Sequence, residues 1–433
     1  MCVVGLGKIG LALAAQYTAR GHRVIGCDIN AHVVDTVNRG DVPESSEEGL
    51  AERVRTAHDD RRLSATLDTS AAAAESEVVV IIVPLLVDQQ GQPDFRALDA
   101  ATWAIAAGLK PGTLVLYETT LPLGTTRARF GPMLESSGLR MGRDFYLAFS
   151  PERVYVGRTF EDLRRYPKVV GGVTGEATDR AVAFYTSTLD AEIIAVQDAE
   201  TAEFVKLAET TYRDVNIALA NEFAQFAQAR GIDAVAAFAA ANTQPYSHIH
   251  APGVGVGGHC IPVYPRFLLA QANPSELKIV RQARSTNDSM ATYAVDLLTG
   301  ELGSLHGRRV LILGLAYRGG VKEASCSSAI LLISALREEG AIPLLHDPLF
   351  TDEEIQAYGV ASVSLDAPVQ ADAVVLQADH PEYEHLDWGN ITGCTAVLDG
   401  RGALDPAQVA QRGMTYLGVG RGFQASNSER PRR

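Results

Sequence analysis

Cysteine is scarce in this chain of 433 residues: five, scattered at Cys2, Cys27, Cys260, Cys326 and Cys394, with no CxxC pair. That excludes a zinc ribbon, argues against a disulfide framework and suits a reducing compartment, so a cytoplasmic protein is expected. His248, His250 and His259 lie near Cys260, but no pair has the helical spacing of an HExxH site, and no metal is expected. An excess of positive charge is also missing. A net charge of −14 argues against nonspecific nucleic-acid binding, which needs a basic footprint. It still permits an anionic ligand held by a glycine loop or a few arginines. No apolar run reaches membrane-spanning length, and Gly5-Leu6-Gly7 interrupts the first apolar segment, so neither a membrane span nor a signal peptide is expected. With 21% charged residues and ordinary apolar content the chain is globular, and its length calls for two or three domains.

Glycine is what the sequence has in a pattern. Gly253-Val-Gly-Val-Gly-Gly-His-Cys-Ile-Pro-Val-Tyr-Pro265 places four glycines before Cys260 and two prolines after it. Such a backbone turns tightly and approaches a ligand closely, and a thiol on it reaches a bound substrate. The alternative is a tight turn carrying a buried, inert cysteine.

A second glycine pattern opens the chain. Met1–Gly5 reads as a strand, Gly5-Leu6-Gly7-Lys8-Ile9-Gly10 as a turn, Leu11–Arg20 as a helix and Arg23–Cys27 as a second strand ending at Asp28. This is GxGxxG in a strand–turn–helix–strand context, with an acid 18 residues after the last glycine. The helix N-terminus stabilises a pyrophosphate, and a carboxylate at 28 takes ribose hydroxyls while repelling a 2′-phosphate. NAD is therefore expected rather than NADP. Further strands follow at Glu77–Val83, Thr113–Tyr117, Phe145–Phe149, Pro167–Gly172 and Glu192–Val196. The loop from Pro84, the cluster Glu118-Thr-Thr120 and the cluster Ser150-Pro-Glu-Arg153 all follow strand ends, where open α/β sheets bind ligands. Thr120 and Glu152 are the candidates there; as alternatives, each could be a turn hydroxyl or a cap carboxylate.

Ala199–Gly231 carries Phe204, Leu207, Ala208, Thr211, Val215, Ala218, Leu219, Phe223 and Phe226 at helical spacing. A helix of roughly 30 residues would be about 45 Å long, a spine between domains or a subunit interface. Lys206 and Thr210 lie one turn apart off that stripe. Asp233–Asn242 and Leu277–Thr299 are further helices. Strands recur at Arg309–Leu315, Ile342–Leu345, Asp372–Gln377 and Ala396–Leu398, without a GxGxxG, and Arg318 and Arg401 stand after two of them as phosphate candidates. The tail from Gln424 is polar and expected to be disordered.

In order along the chain, Gly5–Gly10, Glu118-Thr-Thr, Ser150-Pro-Glu-Arg, Pro167-Lys-Val-Val-Gly-Gly, Lys206-Leu-Ala-Glu, Gly257-Gly-His-Cys-Ile-Pro, Leu313-Gly-Leu-Ala-Tyr-Arg, His346-Asp-Pro and Asp399-Gly-Arg resemble the UDP-glucose/GDP-mannose dehydrogenase family over essentially the whole length. The forms around Cys260 and Glu152 look most like the branch acting on UDP-N-acetyl-hexosamines, with UDP-glucose as the alternative. The resemblance implies α/β architecture: two Rossmann-like doubly wound domains joined by an all-α middle domain with a long spine helix. The expected boundaries are 1–197 for NAD, 198–300 for the helical, dimerising middle, 301–425 for the UDP-sugar, and 426–433 for the tail. It implies oxidation of a sugar C6 alcohol to a carboxylate with two NAD⁺, in a homodimer. Cys260 would be the nucleophile, Lys206 the oxyanion stabiliser, and Thr120 and Glu152 would position water or relay protons. Gly5, Gly7, Lys8, Ile9, Gly10, Asp28, Pro84 and Thr120 would bind cofactor. Glu152, Arg153, Lys206, Thr210, Gly257, Tyr264, Arg318 and Arg401 would bind substrate.

The chain departs from that family at telling places. Tyr264 stands where Asp is usual, Thr210 where Asn is usual, and Pro84-Leu-Leu replaces Pro-Thr-Pro. Ser325 replaces an arginine, and the loop arginine expected near Tyr246 or Ser247 is missing. Three readings stay open: a four-electron dehydrogenase, an enzyme that oxidises once or takes an unusual nucleotide substrate, and a silent nucleotide-sugar binder. Lys206 and Cys260 together disfavour the last.

Overall fold

The structure, a computed structural model, describes residues 1–43, 47–88 and 91–422. The tail from Gln424 lies outside the described residues. Contacts divide the chain into two compact units: Met1–Glu209 with Arg266–Gln271, and Thr210–Pro265 with the residues from Ala272 onward.

The first unit is built on an eight-stranded sheet in the order Ile193–Ala195, Lys168–Gly172, Tyr146–Phe149, Leu114–Tyr117, Val78–Ile81, Cys2–Val4, Val24–Cys27 and Leu63–Thr66. Its central strands are almost wholly apolar, as a parallel sheet covered on both faces requires. Leu13, Tyr17, Val80, Leu116 and Tyr185 are fully buried between sheet and helices, each removing apolar surface worth about 1.5–3 kcal/mol. The strand order reverses at Cys2–Val4, which pairs on one side with Val24–Cys27 and on the other with Val78–Ile81. The crevice at such a switch point is where open α/β sheets bind ligands. One reversal departs from the parallel series read in the sequence: Lys168–Gly172 pairs antiparallel to Tyr146–Phe149. The connection between them runs through the seven-residue helix Thr159–Arg165.

The second unit carries a six-stranded, all-parallel sheet in the order Ala361–Ser362, Ile342–His346, Arg309–Leu313, Ala373–Leu376, Ala396–Asp399 and Thr415–Gly418. One face buries Val310, Ile312, Val375 and Leu398 in a core shared with Ala220 and Ala224 and with Met290 and Ala294 of the helix Lys278–Leu302. The helix Ala199–Gln228 runs for 30 residues as expected, but its apolar positions do not form one stripe. Leu207 and Ala218 are buried, whereas Tyr212, Leu219, Phe223 and Phe226 are exposed. No described helix is long and apolar enough to cross a membrane.

Candidate active site

In the first unit the glycine turn is shaped by contact. Gly5 has φ 96°, a left-handed conformation that favours glycine, and a Cβ on it would lie 3.3 Å from the Ile82 backbone. A Cβ on Gly10 would overlap the Gly5 carbonyl at 1.8 Å. Gly7 differs: it caps the helix Lys8–Ala19 with no side-chain bond, and a Cβ there would meet nothing within 4 Å. Open space therefore stands before the helix's first N–H groups, as a pyrophosphate requires. Asp28 closes the cradle. Its two oxygens accept the Leu6 and Asn30 N–H groups, each at 2.9 Å. Each oxygen keeps a second lone pair for a ribose hydroxyl. Lys8 and Ile9 are half-buried in the first helical turn, and Pro84 is exposed after Val78–Ile81, across the switch point. These residues fit NAD.

The two polar clusters of this unit contain more than the sequence suggested. Glu152 is not isolated. Its Oε2 accepts the Lys168 ammonium at 2.8 Å, and its Oε1 accepts the Arg153 and Val154 N–H groups at 2.6 and 3.1 Å. Lys168 also donates to Glu118 at 2.7 Å, and the other oxygen of Glu118 accepts the Tyr185 and Tyr17 hydroxyls at 2.8 and 3.2 Å. Burial pushes the Glu118 carboxyl above its ordinary value against the pull of Lys168. Burial acts the same way on Glu152, but Lys168 and the Arg153 N–H outweigh it and hold that carboxyl below the usual range. Arg153 turns aside to pair with Glu209 at 3.1 Å and the Pro167 carbonyl. Thr120 is buried in the loop after Leu114–Tyr117. Lys206 is half-buried, one turn beyond Glu203, which is buried and accepts the Gly124 N–H at 2.5 Å and the Thr126 N–H and hydroxyl at 2.8 and 2.6 Å. Thus one helix carries Lys206 and also pins the loop that follows Thr120. Burial pushes the Glu203 carboxyl up to about 7.

The second unit holds the glycine–cysteine loop. Gly253 donates to the Asn221 side chain at 3.0 Å, and Asn221 in turn donates to Asn287 at 2.9 Å. Asn287 and Arg284 both converge on Asp214, so a buried polar network anchors the start of the loop. Gly257 and Gly258 lie against Tyr317: Cβ atoms there would come within 2.6 Å of its Cβ and 3.2 Å of its ring. Gly258 also has φ 89° and donates to the Ser325 carbonyl at 2.8 Å. Cys260 is half-buried, and its thiol lies 3.6 Å from the Tyr264 hydroxyl, within hydrogen-bond reach for sulfur. Tyr264 opens the helix Tyr264–Gln271, and its N–H donates to the Cys260 carbonyl at 3.0 Å. Thr210 is buried in this unit. The loop is thus packed closely against Tyr317, and the Cys260 thiol on it stays partly accessible.

At the strand ends of the second sheet, Arg318 is exposed beside the Tyr317 ring. Arg401 donates through Nε to the Gln377 carbonyl and through Nη2 to the Tyr317 carbonyl at 3.2 Å, tying three strand-end loops together. Asp347, buried, accepts the Leu315 and Ala316 N–H groups at 2.7 and 2.9 Å. His380 accepts the Gly320 N–H on Nδ1, so its own ring proton sits on Nε2 and points to Asp347 at 3.1 Å.

Sequence reasoning missed Lys168, Glu118, Glu203 and Asp214 as site-shaping residues. A signal existed: each is a charge at a core position, Lys168 opening an apolar strand, Glu118 closing one, and Glu203 and Asp214 in register with buried Leu207 and Ala218.

Models of the UDP-glucose/GDP-mannose dehydrogenase family match the NAD binding domain at residues 1–189, the central domain at 200–289 and the UDP binding domain at 311–406. A UDP-N-acetyl-D-mannosamine dehydrogenase of Pyrococcus horikoshii is 36% identical over 433 residues, covering 98% of this chain and 99% of its own. A solved structure of the UDP-D-ManNAc dehydrogenase from that organism matches with a TM-score of 0.85 at 33% identity, covering 98% of this chain and 100% of the other. A UDP-glucose dehydrogenase structure from Pyrobaculum islandicum matches at 0.84 with 29% identity, covering 97% of each chain. The chain belongs to the UDP-glucose/GDP-mannose dehydrogenase family and is an NAD-dependent nucleotide-sugar dehydrogenase.

Proposed function

We propose that this enzyme oxidises the C6 alcohol of a UDP-N-acetyl-hexosamine, UDP-N-acetylmannosamine first among them, to the uronic acid. The similarity over the full length to a UDP-N-acetyl-D-mannosamine dehydrogenase supports that sugar. The fold alone does not choose between sugars, since the two solved structures score 0.85 and 0.84. The observation that carries the chemistry is Cys260, half-buried on the glycine loop with the Tyr264 hydroxyl 3.6 Å away.

NAD, when bound, accepts a hydride in each oxidation. The alcohol loses a hydride and a proton to become an aldehyde. The Cys260 thiolate adds to the aldehyde carbon, giving a thiohemiacetal. Loss of a second hydride and a proton leaves a thioester, and water cleaves it to the carboxylate and the free thiol. Lys206 is assigned to the oxyanion, where a charge-assisted contact is strongest away from water. Thr120 and Glu152 are assigned to the water and the proton relay. Gly257, Thr210, Tyr264, Arg153, Arg318 and Arg401 are assigned to the substrate. Arg153 and Arg401 act through the loops they tie down, because both guanidiniums are engaged within the fold. The chain is read as three functional domains, 1–197, 198–300 and 301–425, in a cytoplasmic homodimer.

The reading with one oxidation step is kept because Tyr264 places a phenol, not a carboxylate base, beside the thiol. NADH counted per sugar across a panel of nucleotide sugars decides. Two NADH per carboxylate supports the four-electron reaction; one NADH with a released aldehyde sinks it; no turnover on any of them returns the silent binder.

A further inference from the structure

Glu152 shares a buried cation with a second carboxylate, and that arrangement has a consequence for catalysis. Lys168 is 5% exposed and bonds Glu118 and Glu152 at 2.7 and 2.8 Å. Its ammonium also lies 5.0 Å above the Tyr185 ring. Beside it is a cavity of about 10 Å³ lined by Glu152, Arg153, Asp162, Tyr166 and Lys168, space for one water at most. Bulk solvent therefore screens the Lys168 ammonium less than it screens a surface charge.

We propose that Lys168 is the positioning residue of Glu152: it aims the Glu152 carboxylate and holds it ionised, while Glu118 competes for the same ammonium and sets how strongly it does so. This rests on the reading of Glu152 as the group that positions water or relays protons. The geometry supports a division of labour. Glu152 turns its other oxygen to two backbone N–H groups at the end of Tyr146–Phe149. Glu118 is surrounded by phenols whose hydroxyls stay protonated, because burial first and Glu118 second push both far up. The charged and titratable groups around Glu152 are Glu118 after Leu114–Tyr117, Tyr17 from Lys8–Ala19, Tyr185 from Gly175–Thr188, Asp162 and Tyr166 at Thr159–Arg165, and Arg153 with Glu209.

Because both carboxylates draw on one ammonium, under this proposal the two neighbours have opposite effects on Glu152. Removing the ammonium in Lys168→Met leaves Glu152 facing Glu118 alone, and its pKa rises. Removing the competing charge in Glu118→Gln leaves Lys168 to Glu152, and its pKa falls. A merely structural role would not produce opposite shifts. The test is ¹³C NMR titration of carboxyl-labelled glutamate in the full-length protein, with Glu152 assigned by Glu152→Gln, alongside the pH profile of kcat/KM for NADH formation from UDP-N-acetylmannosamine. In Lys168→Met the Glu152 signal and the acid limb of the profile should both move up by about one unit or more, a tenfold loss at the acid side. In Glu118→Gln both should move down. Unmoved Glu152 titration in folded Lys168→Met, or an unmoved or upward-shifted one in Glu118→Gln, overturns the proposal. If Lys168→Met does not fold, the direction of the Glu118→Gln shift decides. A shift in the titration with no matching shift in the rate profile overturns the catalytic part. Absence of turnover by the wild type refutes the substrate reading, and the titration then still decides the pairing.

Discussion

At the scale of single residues, the glycines divide by what surrounds them. Gly10→Ala places a Cβ 1.8 Å from the Gly5 carbonyl, backbone against backbone, with no flexible group to yield. It should destabilise the first unit by about 3 kcal/mol or more, as overpacking does at its upper end. Gly7→Ala meets nothing within 4 Å. It should leave thermal stability within about 0.5 kcal/mol and weaken NAD binding at least tenfold by filling the cradle. Thermal melts and NAD titrations on both variants separate the roles; normal NAD affinity in Gly7→Ala would refute the cradle. Cys260→Ser should abolish carboxylate formation and leave NAD affinity nearly unchanged, because Cys260 and the GxGxxG turn belong to different units. A large loss of NAD binding in that variant would contradict the assignment.

At the scale of elements, the helix Ala199–Gln228 was legible in extent but not in orientation. Helical spacing marks apolar positions; it does not say which of two apolar arcs meets a core. Glu203 and Asp214 sit on the buried arc, and the exposed arc carries Tyr212, Leu219, Phe223 and Phe226. Glu203 gives this helix a pH dependence. Its folded pKa is raised by burial from 4.5 to about 7, so the native state holds a proton that the unfolded chain has lost. The stability tied to this group is greatest below pH 4.5 and falls as pH rises through 7, by about 3 kcal/mol at most. Glu203→Gln cannot ionise. Its melting temperature relative to wild type should therefore climb between pH 5 and pH 8, and a flat difference across that range would rule the effect out.

At the scale of the molecule, four exposed aromatic or aliphatic side chains on one helix arc form an apolar face of the kind that marks an interface. We expect a homodimer through this face, and Phe223→Asp with Phe226→Asp should give a monomer by light scattering. A wild-type monomer would remove the claim. The buried network Asp214–Arg284–Asn287–Asn221 should matter for the loop that bears Cys260. Asp214→Ala removes the buried partner of Arg284 and leaves its guanidinium to the more exposed Asp288; it should cost about 3 kcal/mol, measured by denaturant unfolding.

The sequence by itself determined the dinucleotide turn, the central strands and the glycine–cysteine loop, because each depends on neighbours within about a dozen residues: φ at Gly5 and Gly258, a helix N-terminus, apolar runs; the edge strands Leu63–Thr66, Ala361–Ser362 and Thr415–Gly418 carried no such signal. Only the tertiary structure decided which charges share a buried cation. Glu118, Glu152 and Lys168 come from three strand ends up to 50 residues apart, and their pairing exists only once those strands lie side by side. The antiparallel turn of Lys168–Gly172 against Tyr146–Phe149 has the same origin. Local propensity marks both segments as strands but carries no information on their direction, which is decided only when the strands pack side by side.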